Sequence, residues 1–394
     1  MKIFLITKEP FPNGLAAVKR IKAYVKAWKH EGITCEILIY TRTEKYGVPP
    51  KNLVGEGEVD GVHYRYLKGT PLREANIISR CLNDWLDYQR LRRYLHAKLS
   101  VGDIVFSYGR DLKLRKLIRE IQKIGGVFYN ELCELPFGTS YETSKTIKLR
   151  QKYERKIMPL FDGVIVISDA LKEYAIKHCK KDAKISKIPI LVDYEKYNMV
   201  DLSSEAEIPY IFHSGTLFEQ KDGFLSMLEA FGKMSTKCKN NVRFISTGNP
   251  VGSRHEHEIK KIIEKYNLED KVFFTGFIPD DELRKYLAQS SFVVINKLNT
   301  QQNIYCFSTK LGEYMAASKP VLTTDIGEAQ NWLTHGYDAY IVPADNIDKL
   351  CEAMELLFKD VTLRKKLGEN ANKTCQRAFG IESNYIELKK AVTE

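Results

Sequence analysis

Two short segments carry the residue types that anion chemistry needs. His213-Ser214-Gly215-Thr216-Leu217-Phe218-Glu219-Gln220-Lys221-Asp222-Gly223 follows a β-branched and aromatic run and precedes a helical period over 224–234. A glycine at a strand end lets backbone approach a ligand, and a lysine at a helix start meets a phosphate as a point charge. Taken alone, the same residues describe a solvated turn with an Asp at a helix start equally well. The second segment is Phe307-Ser308-Thr309-Lys310-Leu311-Gly312-Glu313-Tyr314-Met315-Ala316-Ala317-Ser318-Lys319-Pro320-Val321. Ser308 and Thr309 can open a helix whose unpaired N–H groups would hold a diphosphate, and Lys310 falls in that first turn. Glu313, one turn later, could accept hydrogen bonds from a ribose diol; by itself it would more often be a surface carboxylate.

A third segment, Tyr129-Asn130-Glu131-Leu132-Cys133-Glu134-Leu135-Pro136-Phe137, ends an apolar run with two carboxylates. Glu131 and Glu134 are candidates to orient a hydroxyl or take its proton. An ion pair between one of them and a nearby arginine, with no chemical role, has equal weight. The triplet His255-Glu256-His257 opens a helical stretch, where positions two apart do not share a face. It reads as a solvated helix start rather than a zinc site.

These segments need elements to position them. Strands are expected at Lys2–Thr7, Cys35–Tyr40, His63–Leu67, Ile104–Ser107, Val127–Asn130 and Val164–Ile167. A second series is expected at Pro209–His213, Val242–Thr247, Val272–Thr275, Phe292–Asn296, Pro320–Thr324 and Tyr340–Val342. Helical periods alternate with them, as when parallel strands are joined by crossover helices. In Gly14–Glu31 the stripe Val18, Ile21, Val25 and Trp28 is flanked by Lys19, Arg20, Lys22, Lys26 and Lys29, a cationic face. The fold class is therefore α/β, with two tandem doubly wound, Rossmann-like domains facing across a cleft. Pro189, Asp193, Asp201, Ser203, Ser204 and Pro209 interrupt the periodicity, which places the domains at 1–195 and 196–378, with 379–394 a terminal helix returning toward the first. No G-x-G-x-x-G follows a strand and no G-x-x-x-x-G-K-[ST] occurs, which counts against dinucleotide and P-loop readings.

At 394 residues and 44% hydrophobic, the chain can bury a core in each of two domains. No apolar run approaches the roughly 20 residues that span a bilayer, and the Met1–Thr7 run meets Lys8-Glu9 without a signal-peptide pattern, so a cytoplasmic protein is expected. The eight cysteines are scattered, never as C-x-x-C, and are expected to be free and mostly buried. The net charge of +11 divides unevenly, +14 over residues 1–200 and −3 over 201–394. A basic excess suits nucleic acid, an anionic membrane or an acidic substrate. No nucleic-acid module is visible, so nucleic acid is not expected as a partner.

Together the segments 215–223 and 307–321 resemble the nucleotide-sugar half of retaining glycosyltransferases of family four, which have the GT-B fold. The Gly14 loop, Val166 to Leu171, Val192-Asp193 and Thr275-Gly276-Phe277-Ile278-Pro279 extend the resemblance along nearly the whole chain. It implies transfer of a sugar from a nucleotide-diphosphate donor to a glycan, glycolipid or other acceptor hydroxyl. Gly14 would bring N–H groups to the diphosphate, Lys221 would neutralise it with Ser308 and Thr309 opposite, and Glu313 would hold the ribose. Gly215 and Thr216 would line the donor site, with Phe277 and Ile278 beside the base. Three positions depart from the family pattern. Thr216 replaces an arginine, Tyr305 replaces the first of two glutamates spaced eight apart, and Cys306 or Phe307 stands where a proline is usual. No metal or cofactor beyond the donor is expected, since no Asp-x-Asp occurs. The basic helices 14–31 and 76–99 suggest a lipid-linked acceptor or an anionic membrane surface, or else only a solubilising face. A hydrolase or epimerase acting on nucleotide sugars and a non-catalytic binder stay open as alternatives.

Overall fold

The computed structural model describes residues 1–138, 142–198, 206–237 and 241–394. Asp201, Ser203 and Ser204 of the expected junction, and Cys238, lie outside the described residues. Two compact units divide the chain, Met1–Pro189 with Asn384–Glu394, and Ile190–Ser383.

The first unit is built on eight strands: β1 (Lys2–Thr7), β2 (Thr34–Ile39), β3 (Glu56–Val59), β4 (Val62–Tyr66), β5 (Ile104–Tyr108), β6 (Val127–Leu132), β7 (Gly163–Val166) and β8 (Lys184–Lys187). Their order is β3-β4-β2-β1-β5-β6-β7-β8, and every pair is parallel except β3–β4. The central strands are continuous apolar runs because helices cover both faces of a parallel sheet. Sequence patterning missed only β3 and β8. Both are edge strands, one reading Glu-Gly-Glu-Val and the other Lys-Ile-Ser-Lys, and an edge needs no apolar run and is protected by charge.

Helix α1 (Ala16–His30) buries Val18, Ile21, Val25 and Trp28, so its apolar stripe faces the core. Trp28 stacks with Tyr24, meets Phe106 edge-on, and donates its indole N–H to the Leu388 carbonyl at 3.1 Å. That bond ties the terminal helix Tyr385–Thr393 to α1. Arg20 departs from the expected cationic face: it is 4% exposed and turns inward. Helix α2 (Ile77–Lys98) starts at Asn76, whose side chain accepts from the Ile78 and Ser79 amides. Only its second half packs, through Asp87, Tyr88, Leu91 and Leu95, whereas Ile77, Ile78, Leu82 and Trp85 are exposed.

The second unit has β9 (Tyr210–His213), β10 (Arg243–Ser246), β11 (Val272–Phe274), β12 (Phe292–Ile295), β13 (Val321–Thr324) and β14 (Tyr340–Val342). All pairs are parallel in the order β11-β10-β9-β12-β13-β14. Phe224, Met227, Phe231, Phe244 and Val294 belong to its core. In each unit the winding reverses once, between β1 and β5 and between β9 and β12. Ligands of open α/β sheets bind beyond the strand ends at such reversals. The seven described cysteines are free, but only Cys351 and Cys375 are buried; Cys81 is exposed and the other four are intermediate, which corrects the expectation of mostly buried thiols.

Candidate functional site

At the β9/β12 reversal, the loop after β9 closes into the short helix Glu219–Asp222, and β12 runs on into Asn296 and Lys297. Asp222 is 4% exposed, and its Oδ1 lies 2.8 Å from the Lys297 ammonium and 3.2 Å from that of Lys310. Its Oδ2 accepts from the Thr216 hydroxyl and, at 3.2 Å, from the Thr216 amide. Lys297 also donates to the Lys221 carbonyl at 2.8 Å, and the Lys221 charge is felt at Lys310. Two ammonium groups thus meet one carboxylate. A buried charge normally brings one counter-charge; here the surplus is positive.

The electrostatics follow from that count. Burial raises the Asp222 pKa, but Lys310 and Lys297 lower it by more, and the carboxyl is held well below the usual range. For Lys310, 24% exposed, burial and the Lys297 charge lower the pKa while Asp222 opposes them. His213, at the end of β9, is held at about 3 by burial first and the Lys310 charge second, so it is neutral near pH 7. Its Nδ1 lies 3.1 Å from the Ser246 hydroxyl.

The second segment lands beside the first. Helix Thr309–Ala316 begins at Ser308, and no side-chain cap fills its first turn. Tyr314 on this helix meets the Ser214 amide at 2.8 Å and the Ser214 hydroxyl at 2.9 Å, locking the two segments together. A Cβ at Gly215 would collide with the Lys310 ammonium, so the glycine is what allows Lys310 to lie over the strand end. Lys297, Cys306, Ser308 and Leu311 line a shallow hollow. Phe307 is buried against Trp332 and Phe379, leaving Cys306 as the residue at the hollow before Ser308.

The structure therefore brings together Gly215, Thr216, Lys221, Ser308, Thr309 and Lys310. Glu313 follows one turn along the same helix, half-buried, where its charge raises the Tyr197 pKa after burial, the larger cause. Phe277 (74% exposed) and Ile278 follow β11, two strands and roughly 10 Å from β9 along the sheet. Sequence reading missed Asp222 as the hub, Lys297 and His213. Lys297 had a signal, a lysine directly after a buried strand. His255 is corrected: it is 7% exposed and packs against Phe218, with neither ring nitrogen hydrogen-bonded, so it is no solvated helix start.

In the first unit Gly14 precedes α1, and a Cβ there would lie 2.7 Å from the Pro10 carbonyl oxygen and strike Val18. Glu131 is closed off. Its Oε1 takes Arg20 Nε at 2.7 Å, its Oε2 takes the Tyr24 hydroxyl at 2.7 Å, and its side chain is 0% exposed. Arg20 spends its remaining donors on the Pro189 and Ile188 carbonyls. Burial raises the Glu131 pKa against the opposing Arg20 charge and Tyr24 hydrogen bond. The expectation that Glu131 receives an acceptor proton is corrected, since both oxygens are engaged and none reaches solvent. Glu134 pairs with Arg110 at 3.2 Å, both more than a third exposed. Glu9, past the end of β1, joins them: burial raises its pKa, Arg110 lowers it and Glu134 raises it further. Glu9 carried no signal in the sequence, because only the β1/β5 reversal places it near Glu134.

Residues 198–374 match the family model for glycosyl transferases group 1. An uncharacterized glycosyltransferase of Methanocaldococcus jannaschii is 24% identical over 59% of this chain and 60% of its own length. The N-acetyl-alpha-D-glucosaminyl L-malate synthase of Bacillus anthracis is 22% identical over 56% of each chain. The chain thus spans under two thirds of the length of these curated relatives. Among solved structures, the sucrose-phosphate synthase of Thermosynechococcus elongatus superposes with a TM-score of 0.74 at 15% identity, covering 99% of this chain and 98% of that one. The HepE protein of Anabaena, solved with UDP-glucose, gives 0.71 at 13% identity with full coverage of both. The chain carries the GT-B fold of these solved structures, and its residues 198–374, under half of its length, match the family model for glycosyl transferases group 1.

Proposed function

We propose that this protein is a retaining glycosyltransferase that moves a sugar from a nucleotide-diphosphate sugar to a hydroxyl of a glycan or glycolipid acceptor in surface polysaccharide or glycoconjugate synthesis. The observation that carries this reading is the surplus of positive charge around Asp222, next to the uncapped first turn at Ser308. A diphosphate leaving group gains negative charge as the glycosidic bond breaks, and preorganised cations and amides stabilise that charge. Lys221 and Lys310 with the Ser308 and Thr309 amides take the diphosphate, and Glu313 takes the ribose. Lys297 holds Asp222 in place. Ammonium groups do here what a divalent ion does elsewhere, so a chelator is expected to leave the rate unchanged. Glu134, paired with Arg110 and near Glu9, is the acceptor-side carboxylate.

The exposed residues Ile77, Ile78, Leu82 and Trp85 on α2, in the half of the chain with the +14 balance, favour an acceptor at an anionic membrane surface. Among the described residues no helix is long and apolar enough to cross a membrane, so this contact would be peripheral, at the inner face. Sedimentation with anionic vesicles at low salt tests it, and no binding would retire it.

A thermal-shift panel of nucleotide sugars tests the main reading, because a ligand of the native state raises the melting temperature. The donor that shifts it most is then supplied with candidate acceptors, and the anomeric configuration of the product is read by NMR. Retention is expected. Inversion would overturn the mechanism, and no shift with any donor would overturn the activity.

A further inference from the structure

The positive surplus around Asp222 has a counterpart of opposite sign in the first unit. Strands β1, β5 and β6 are neighbours in the sheet, and Thr7 and Glu131 flank Tyr108 in register near their carboxyl ends. Glu9, Arg110 and Glu134 each stand two residues past the end of one of these strands, at the β1/β5 reversal, the place where open α/β sheets bind ligands. The chain around Glu9 is fixed on both sides. The Thr7 hydroxyl accepts from the Glu9 amide at 3.1 Å and donates to the Tyr108 carbonyl at 3.4 Å. Beyond Glu9, the Tyr66 hydroxyl accepts from the Phe11 amide at 3.0 Å and donates to the Phe11 carbonyl at 2.8 Å.

The residues just past these strand ends carry two cations, Lys8 and Arg110, against three carboxylates, Glu9, Asp111 and Glu134. Lys8 pairs with Asp111. Arg110 pairs with Glu134 at 3.2 Å and also donates to the Leu135 carbonyl at 3.1 Å. Glu9 is left over. It is half-buried, its carboxylate has no hydrogen bond or ion pair among the described residues, and neither oxygen is closed off from solvent. Arg110 and Glu134 both act on its charge, which places the three close together. The +14 balance of this half of the sequence therefore does not reach the reversal, where the local surplus is one negative charge. A carboxylate accepts hydrogen bonds and donates none, so sugar hydroxyls or an ammonium group satisfy it, while an acidic ligand meets like charge. We infer that Glu9 is a second ligand-binding carboxylate beside Glu134, and that it selects a non-acidic saccharide, one that presents hydroxyls or an amino group to it. The role of that saccharide as acceptor rests on the glycosyltransferase reading; the preference for a non-acidic ligand does not.

Ligand-observed NMR titration of the full chain with methyl glucoside, methyl glucosaminide and methyl glucuronide at neutral pH tests the inference, because the three share a ring and differ in one group, a hydroxyl, an amine or an acid. The glucoside and the glucosaminide are expected to bind about 10-fold or more tightly than the glucuronide. Glu9→Gln, which keeps the shape and removes the charge, is expected to shrink that gap to about 3-fold or less with its melting temperature unchanged, and Glu9→Asp, which keeps the charge, to retain the preference. A glucuronide that binds as tightly as the glucoside, absence of binding by all three, a gap unchanged in Glu9→Gln, or a gap lost equally in Glu9→Asp would overturn it. Nucleoside-diphosphate affinity of Glu9→Gln is expected to stay at the wild-type value, so failure of Glu9 and failure of the donor site give different results.

Discussion

Two buried carboxylates near the carboxyl ends of the two sheets, Glu131 in the first unit and Asp222 in the second, are handled in opposite ways. Glu131 receives one guanidinium and one phenol, and the guanidinium's other donors end on backbone carbonyls, so the cluster is neutral and complete. Asp222 receives two ammonium groups with a third lysine adjacent, so its cluster has charge to spare. Burial of a charged residue therefore does not mark a ligand site; imbalance does. Glu131 fixes α1 against β6, while Asp222 holds cations in position for something else.

The largest expected effect tests the closed cluster. Arg20→Met leaves the Glu131 carboxylate buried with only Tyr24, and such a break costs about 3–5 kcal/mol of stability, read as a drop in denaturation midpoint. Arg20→Met with Glu131→Leu should recover most of that loss. A cost under about 1 kcal/mol for Arg20→Met would mean the pair is not closed as described.

Next comes the open cluster. Lys221→Ala should lower turnover about 10²-fold, with little change in the denaturation midpoint, if its charge acts mainly in the transition state. Wild-type turnover would remove Lys221 from the machinery.

The third prediction concerns pH. His213 has a folded pKa of about 3 against an ordinary 6.5, so between those values the unfolded chain binds a proton that the folded chain refuses. Its contribution falls as pH drops through that window, by about 2 kcal/mol between pH 7 and pH 5. Asp222 acts lower: its depressed pKa gives stability that is complete above the ordinary value of 3.8 and is lost only as pH falls below it. Denaturation curves of the wild type and His213→Gln at pH 7 and 5 separate the two, with the difference between the pH values shrinking in the variant. Equal slopes would show that His213 is not held neutral.

The smallest effect belongs to the exposed Glu134–Arg110 pair. Glu134→Ala should cost less than about 1 kcal/mol of stability while raising the KM for the acceptor. An unchanged acceptor KM would remove Glu134 from the acceptor side.

Much of this was legible in the sequence. Twelve strands could be read because a parallel sheet covered on both faces demands apolar runs, and β3 and β8 escaped because edges do not. The segments 213–223 and 307–315 could be recognised because glycine, lysine and a helix-starting serine are local signals. What could not be read is which charges meet. Lys297 is 75 residues from Asp222 and Glu131 is 111 from Arg20, so nothing local distinguished the carboxylate with a surplus of partners from the one with just enough. Glu131 and Glu134 looked alike as candidates, and only burial separates them.

The most direct test of the central claim, that the surplus charge around Asp222 holds the donor diphosphate, is calorimetric titration. The nucleoside diphosphate giving the largest thermal shift would be titrated into the wild type, Lys221→Ala and Glu134→Ala. The account predicts affinity about 10-fold or more weaker in Lys221→Ala and unchanged in Glu134→Ala. Equal affinity in all three, or a loss confined to Glu134→Ala, would contradict it.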